Sequence, residues 1–212
     1  MRVKICGLKT LDEALYAVEA GADYLGFNFY PPSPRYVDPL ICAGITAGLL
    51  ERGCGATLVG VFVNEPAEKI SAILDDCGLY LAQLSGDEHP RALALLGDRA
   101  FKALRPRNTN DLKKAEQLYP RRHAAPAWLV DAFRAGDFGG TGENADWRLA
   151  GDLSQRTAIF LAGGLDPGNV GRAVEQVRPW GVDVASGVES GPGKKDPEKM
   201  KAFVQAARKT HL

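Results

Sequence analysis

Two kinds of apolar spacing alternate along this chain. Short apolar runs, the mark of strands, are each followed by a stretch in which apolar residues return every third or fourth position. The runs cover residues 2–6, 23–28, 57–63, 79–84, 100–104, 128–132, 158–162 and 182–185. Helix-start chemistry lies between them. Thr10-Leu11-Asp12-Glu13 reads as a capping box, with Leu11, Leu15 and Val18 on one helix face and Gly21 just past the end. Asp38-Pro39, Asp166-Pro167 and Asp196-Pro197 each set an N-cap Asp before a first-turn Pro. Further helices are expected from Pro66, over 90–96 and from about 110 to 118, whereas residues 144–149 allow at most a short one.

Strands alternating with helices predict parallel βαβ crossovers and an α/β fold. Eight such units fit a single (β/α)8 TIM barrel spanning residues 1–212, since such barrels usually take about 250 residues but can be built from about 200. An open doubly wound sheet is the alternative. In a barrel the chemistry gathers in the loops after the strand C-termini, so residues at strand ends carry the functional question.

Composition narrows the partners. The chain is 45% hydrophobic and 25% charged, an ordinary globular balance. Its 26 Lys and Arg match its 26 Asp and Glu, so no broad basic surface for nucleic acid or an anionic membrane is expected. No apolar run approaches the roughly 20 residues of a membrane span, and Lys4 breaks the N-terminal run, so no signal peptide is expected. Cysteines at 6, 42, 54 and 77 form no CxxC pair, and His89, His123 and His211 are scattered. Reduced thiols in a cytoplasmic protein follow, with no metal.

Cys6 ends the first run. Arg2, Lys4 and Cys6 share one strand face and Val3 and Ile5 the other, so helices covering the apolar pair turn Cys6 into the mouth. There it serves as a nucleophile or base, or as a small buried hydrophobe. Asp131 ends the sixth run as a functional carboxylate, an N-cap or an ion-pair partner. Three prolines in the segment from Tyr30 to Tyr36 hold Arg35 out on a stiff arm, suited to a carboxylate or phosphate, or simply solvated. Gly163-Gly164 and Ser186-Gly187 follow the seventh and eighth runs, where barrels often bind phosphate, although ordinary tight turns look the same. The GxGxxA from Gly140 to Ala145 neither follows a strand directly nor opens a long helix, so it reads as a mobile loop over the mouth rather than a dinucleotide site.

Taken together, several blocks resemble the phosphoribosylanthranilate isomerase family of tryptophan biosynthesis. They are Lys4-Ile5-Cys6-Gly7-Leu8, Gly26-Phe27-Asn28-Phe29 with the segment from Pro32 to Val37, and Gln83-Leu84. To these add Asp131 with Gly139-Gly140-Thr141-Gly142, the block from Ala162 to Leu165, and that from Val182 to Glu189. The resemblance implies a cofactor-free (β/α)8 barrel with Cys6 as base and Asp131 as acid. It makes Arg35 the anchor of the anthranilate carboxylate, and Gly163, Gly164, Ser186 and Gly187 the phosphate site. It implies a small phosphoribosyl substrate, no nucleic-acid or membrane partner, and a monomer or homodimer. The implied reaction turns N-(5-phosphoribosyl)anthranilate into 1-(2-carboxyphenylamino)-1-deoxyribulose 5-phosphate, the third step of the tryptophan branch from chorismate. Lys4, on the strand face of Cys6, is expected to help hold it as thiolate. Two departures stand out: Ser85-Gly86 where the family usually has His-Gly, and Ala132-Phe133 where its loop often begins with Ser or Thr. The related isomerase of histidine biosynthesis uses two carboxylates, so Cys6 speaks against it. A non-catalytic phosphosugar-binding barrel is the remaining alternative.

Overall fold

Eight parallel strands pair in chain order and close into a barrel, so the open sheet is ruled out. The structure is a computed structural model that describes residues 1–131 and 147–209. The strands are β1 (Arg2–Cys6), β2 (Tyr24–Asn28), β3 (Thr57–Phe62), β4 (Leu81–Leu84), β5 (Ala100–Leu104), β6 (Trp128–Asp131), β7 (Ile159–Ala162) and β8 (Gly181–Val184). The helices are α1 (Leu11–Ala20), α2 (Pro39–Glu51), α3 (Ala67–Asp76), α4 (Pro90–Leu96), α5 (Thr109–Leu118), α6 (Trp147–Ser154), α7 (Val170–Val177) and α8 (Pro197–Lys209). An antiparallel hairpin, β9 (Glu189–Gly191) and β10 (Lys194–Lys195), lies between β8 and α8.

Period-two alternation sorts the strand side chains into two cores. Val3, Ile5, Leu25, Phe27, Trp128, Val130, Val182 and Val184 face outward and pack with the helices. Val59, Leu81, Phe101, Leu129 and Phe160 face inward and fill the barrel. Tyr24 and Trp180 meet the Phe160 ring edge-on, with centroids at 5.2 and 5.1 Å, and close the lower end. The filled interior leaves only the upper end, where the strands terminate, for a ligand.

Local signals explain most helix starts. Thr10 accepts a hydrogen bond from the Glu13 amide, and Gly21 ends α1 in the left-handed region at φ 94°. The capping box is half formed, however. The Glu13 carboxylate accepts from the Lys9 amide at 2.8 Å and the Lys195 amide at 3.1 Å, tying α1 to the hairpin. Asp38 caps α2 as expected.

Two expected starts are corrected. Asp166-Pro167 does not open α7: Asp166 Oδ1 accepts from the Gly168 and Asn169 amides, and that turn delays the helix to Val170. The short helix expected over 144–149 is α6, which begins at Trp147 among the described residues and runs on to Ser154, with Trp147, Leu149, Ala150 and Leu153 buried. Boundary shifts elsewhere are small: β4 starts at Leu81 rather than 79, and β8 runs from Gly181 to Val184 rather than over 182–185.

Candidate active site

β1 sets the first wall of the mouth. Because Val3 and Ile5 are buried against the helices, Lys4 and Cys6 turn inward, as the alternation requires. Cys6 pairs in register with Gly26 on β2. A β-carbon at Gly26 would lie 2.9 Å from Cys6 Sγ and 3.1 Å from Lys4 Nζ. The missing side chain is therefore the space in which thiol and ammonium sit together.

Lys4 is fully buried, and its Nζ donates to Asp183 Oδ1 at 2.9 Å from the adjoining strand. Burial pulls Lys4 down, but Asp183 and Cys6 together hold it above its ordinary value. It is a fixed cation. Burial pushes the Cys6 thiol up, against the pull of Lys4, and Asp183 adds to the rise. Lys4 does pull the thiol toward thiolate, as expected, but it is shared with Asp183 and desolvation outweighs it.

Asp131 ends β6 with its side chain 29% exposed, and Arg105 Nε approaches its Oδ2 at 3.8 Å. The inward alternation that puts Leu129 in the barrel core also carries Asp131 to the mouth. On β4 the same rule turns Gln83 inward. Its Nε2 donates to Ser85 Oγ at 3.1 Å, while its buried Oε1 has no partner among the described residues. Ser85 therefore orients Gln83. Beside Ser85 and Arg105 a cavity of about 370 Å³ opens toward Ala115 on α5 and Tyr119 just past its end. Lys102, on the outer face of β5, donates to Leu84 O, Gly86 O and Glu88, and so braces the loop above β4.

Arg35 is not held out into solvent. Asn28 and Ser33 organise its loop: Ser33 Oγ accepts from Asn28 Nδ2 at 3.2 Å and from the Arg35 amide at 3.1 Å. The Arg35 stem then crosses Gly7, whose φ is +82° and where a β-carbon would lie 2.7 Å from Arg35 Cδ. Its guanidinium turns back to Glu189, with Nε donating to Oε1 at 2.7 Å and Nη2 to Oε2 at 2.8 Å. Lys195 Nζ joins at 2.9 Å from Glu189 Oε1 and also donates to Ala185 O at 2.8 Å. Burial would raise the Glu189 carboxyl, but Arg35 and Lys195 outweigh it and hold it below the usual carboxylate range. Burial holds Lys195 below its ordinary value despite Glu189.

The two glycine loops meet. Gly163 and Gly164 both have positive φ, 94° and 64°. Gly187 packs on the Leu165 carbonyl so closely that a β-carbon could not be accommodated. Among the described residues, none of the Gly163, Gly164, Ser186 and Gly187 amides donates to a protein acceptor. The amides of Gly168 and Asn169 are already taken by Asp166. An anion on this rim would meet the first set of amides.

Sequence reasoning placed Cys6, Asp131 and the glycine loops on the rim, and all of them lie there. It gave no role to Gln83, Asp183 and Glu189, which it quoted only as part of the resemblance, and passed over Lys195. Inward position on β8 was a usable signal for Asp183, and on β4 for Gln83. Nothing local marked Glu189 as the partner of Arg35, 154 positions away. The loop read as mobile lies outside the described residues. Among the described residues no group of three His, Cys, Asp or Glu is arranged to hold a metal.

The family described as N-(5'phosphoribosyl)anthranilate (PRA) isomerase matches residues 3–206. A Citrifermentans bemidjiense protein named N-(5'-phosphoribosyl)anthranilate isomerase is 44% identical over 211 residues, 100% of this chain and 98% of its own. The crystal structure of phosphoribosyl anthranilate isomerase from Thermotoga maritima superposes with a TM-score of 0.87 at 38% identity, covering 99% of each chain. A further solved isomerase, in complex with reduced 1-(o-carboxyphenylamino)-1-deoxyribulose 5-phosphate, gives a TM-score of 0.83 at 37% identity over 99% of each chain.

Proposed function

Because this chain belongs to the N-(5'-phosphoribosyl)anthranilate isomerase family, we propose that Cys6 and Asp131 carry its reaction as base and acid. The enzyme isomerises N-(5-phosphoribosyl)anthranilate, an aldose derivative, to the ketose 1-(2-carboxyphenylamino)-1-deoxyribulose 5-phosphate in tryptophan biosynthesis.

Asp131, protonated, gives its proton to the ribose ring oxygen as the C1′–O bond breaks. The anthranilate nitrogen supplies the electron pair, and an iminium cation forms. Cys6, as the thiolate left when it gives its own proton to solvent, then takes the C2′ proton; those electrons move to the iminium, and the enolamine tautomerises to the ketone. The iminium is the electron sink of this scheme. It also bears on the state of Cys6. Burial pushes the thiol up, but a cation formed beside it favours the thiolate. The proton-accepting form would thus be favoured at the step that needs it.

Arg35 would read the ring carboxylate. The free amides at Gly163, Gly164, Ser186 and Gly187 would receive the phosphate, helped by backbone that only glycine lets approach so closely. We infer a cytoplasmic enzyme, since its four cysteines are all unpaired thiols, working as a monomer or homodimer.

One observation carries the base assignment: Cys6 faces inward at the end of β1, in a space that Gly26 keeps open. The test is turnover of N-(5-phosphoribosyl)anthranilate, followed by loss of its fluorescence. Cys6→Ala should lose about 10²–10⁴-fold in kcat with KM little changed, because base catalysis supplies that much. Near-full activity in that variant would make Cys6 a packing residue.

A further inference from the structure

We propose that Glu189 is a positioning residue for substrate selection: it presents one edge of the Arg35 guanidinium to the anthranilate carboxylate. This rests on the reading of Arg35 as the carboxylate anchor.

A guanidinium has two bidentate edges. Glu189 occupies the side edge of Arg35, through Nε and Nη2. The end edge, which includes Nη1, remains for a second carboxylate. Glu189 itself has no capacity to receive substrate. Oε1 accepts from Arg35 and Lys195, and Oε2 accepts from Arg35 and the Gly193 amide. A carboxylate saturated in this way is a support rather than a ligand.

Charge points in the same direction. Arg35, Lys195 and Glu189 together carry one net positive charge. The side chains of Lys195 and Glu189 are 0% and 5% exposed, so solvent cannot reach them, while Arg35 is 24% exposed. The neighbouring Lys4–Asp183 pair is neutral in itself. Within this trio the positive charge that solvent or a ligand can reach is therefore the outer edge of Arg35, which suits an anion there. Glu189 in turn is held by the hairpin, whose Gly193 packs on the Pro34 carbonyl. Lys199 Nζ donates to the Glu189 backbone carbonyl at 2.7 Å. The aim of Arg35 is thus set by β9, β10 and α8 rather than by its own loop.

The experiment compares N-(5-phosphoribosyl)anthranilate with its aniline analogue, which lacks the ring carboxylate. For each variant it measures kcat, KM and the Kd of inorganic phosphate. Wild type should prefer the carboxylated substrate. Arg35→Lys should erase that preference. Glu189→Gln should erase it too, through a KM increase of roughly ten- to hundredfold for the carboxylated substrate alone, with phosphate affinity unchanged. The double variant should be no worse than Arg35→Lys. If Arg35→Lys retains the preference, the anchor reading is wrong. If Arg35→Lys erases it but Glu189→Gln retains it, or slows both substrates equally, Glu189 is only a structural partner. Should Glu189→Gln fail to fold, Glu189→Asp decides. It keeps the charge but withdraws the carboxylate by one methylene, and a wild-type preference in it would overturn the proposal.

Discussion

Cys6 and Gly26 face each other across β1 and β2, and the sulfur fills the volume that any side chain on β2 would need. Gly26→Ala places a methyl 2.9 Å from Sγ and 3.1 Å from Lys4 Nζ. Both groups are buried, so neither can move aside freely. Overpacking of this kind destabilises by about 1–3 kcal/mol. Gly26→Ala is expected to lower the melting temperature and to abolish most turnover. Adding Cys6→Ala should restore part of the stability and none of the activity, since it removes the atom that clashes. Additive losses in the double variant, measured by denaturant unfolding, would show that the two sites do not share this volume.

Asp131 permits a clean separation of acid from structural partner. Its contact with Arg105 is long and half exposed, and such pairs contribute little to stability. As a general acid replaced at unchanged size and polarity, Asp131→Asn should melt close to wild type and lose about 10²–10⁴-fold in kcat. The wild-type rate should be bell-shaped in pH, with limbs that belong to the Cys6–Asp131 pair, and the variant should keep a single limb. A destabilised but active Asp131→Asn would remove Asp131 from the mechanism.

Lys102 and Glu88 offer a test in acid. Their side chains are 3% and 1% exposed and 2.9 Å apart. Burial would raise the Glu88 carboxyl, but Lys102 and the Asn64 amide outweigh it and hold it below the usual range. A carboxyl depressed in the folded state binds fewer protons there than in the unfolded chain. Its contribution is whole above about pH 4.3 and is lost as pH falls through the depressed value. Glu88→Gln leaves Lys102 buried without its counter-charge, at a loss of about 3–5 kcal/mol near neutral pH. Denaturant unfolding from pH 7 to pH 3 should show the variant already weaker and its stability flatter across the acid range. A parallel decline of the two proteins would mean that other carboxylates set the acid sensitivity.

The barrel could be read from the chain because its rules are local. Val3 and Ile5 against Lys4 and Cys6 give a strand with two unlike faces, and Thr10, Gly21 and Asp38 punctuate helices through contacts within a few residues. Asp166-Pro167 was misread because the signal for a helix N-cap is also that of an Asp-closed turn: in both, the carboxylate accepts from the amides two and three residues on. The hairpin has no alternating apolar pattern: Glu189, Ser190, Gly191, Pro192, Gly193, Lys194 and Lys195 are ordered by charge and by Glu13 of α1. The partner of Arg35 lay beyond any local rule. Proline stiffness suggested an arm reaching outward, whereas a buried carboxylate from the far end of the chain draws it in.

The burial that pushes the Cys6 thiol up has a chemical benefit of its own. Peroxide attacks the thiolate and scarcely touches the thiol, and sulfinic acid, once formed, is irreversible in most proteins. A permanently ionised sulfur at the barrel mouth would be consumed by stray oxidants while the enzyme stood idle. Here Lys4 is shared with Asp183, and desolvation pushes the thiol up. On the proposed mechanism its reactivity would be confined to the interval in which a substrate cation lies beside it.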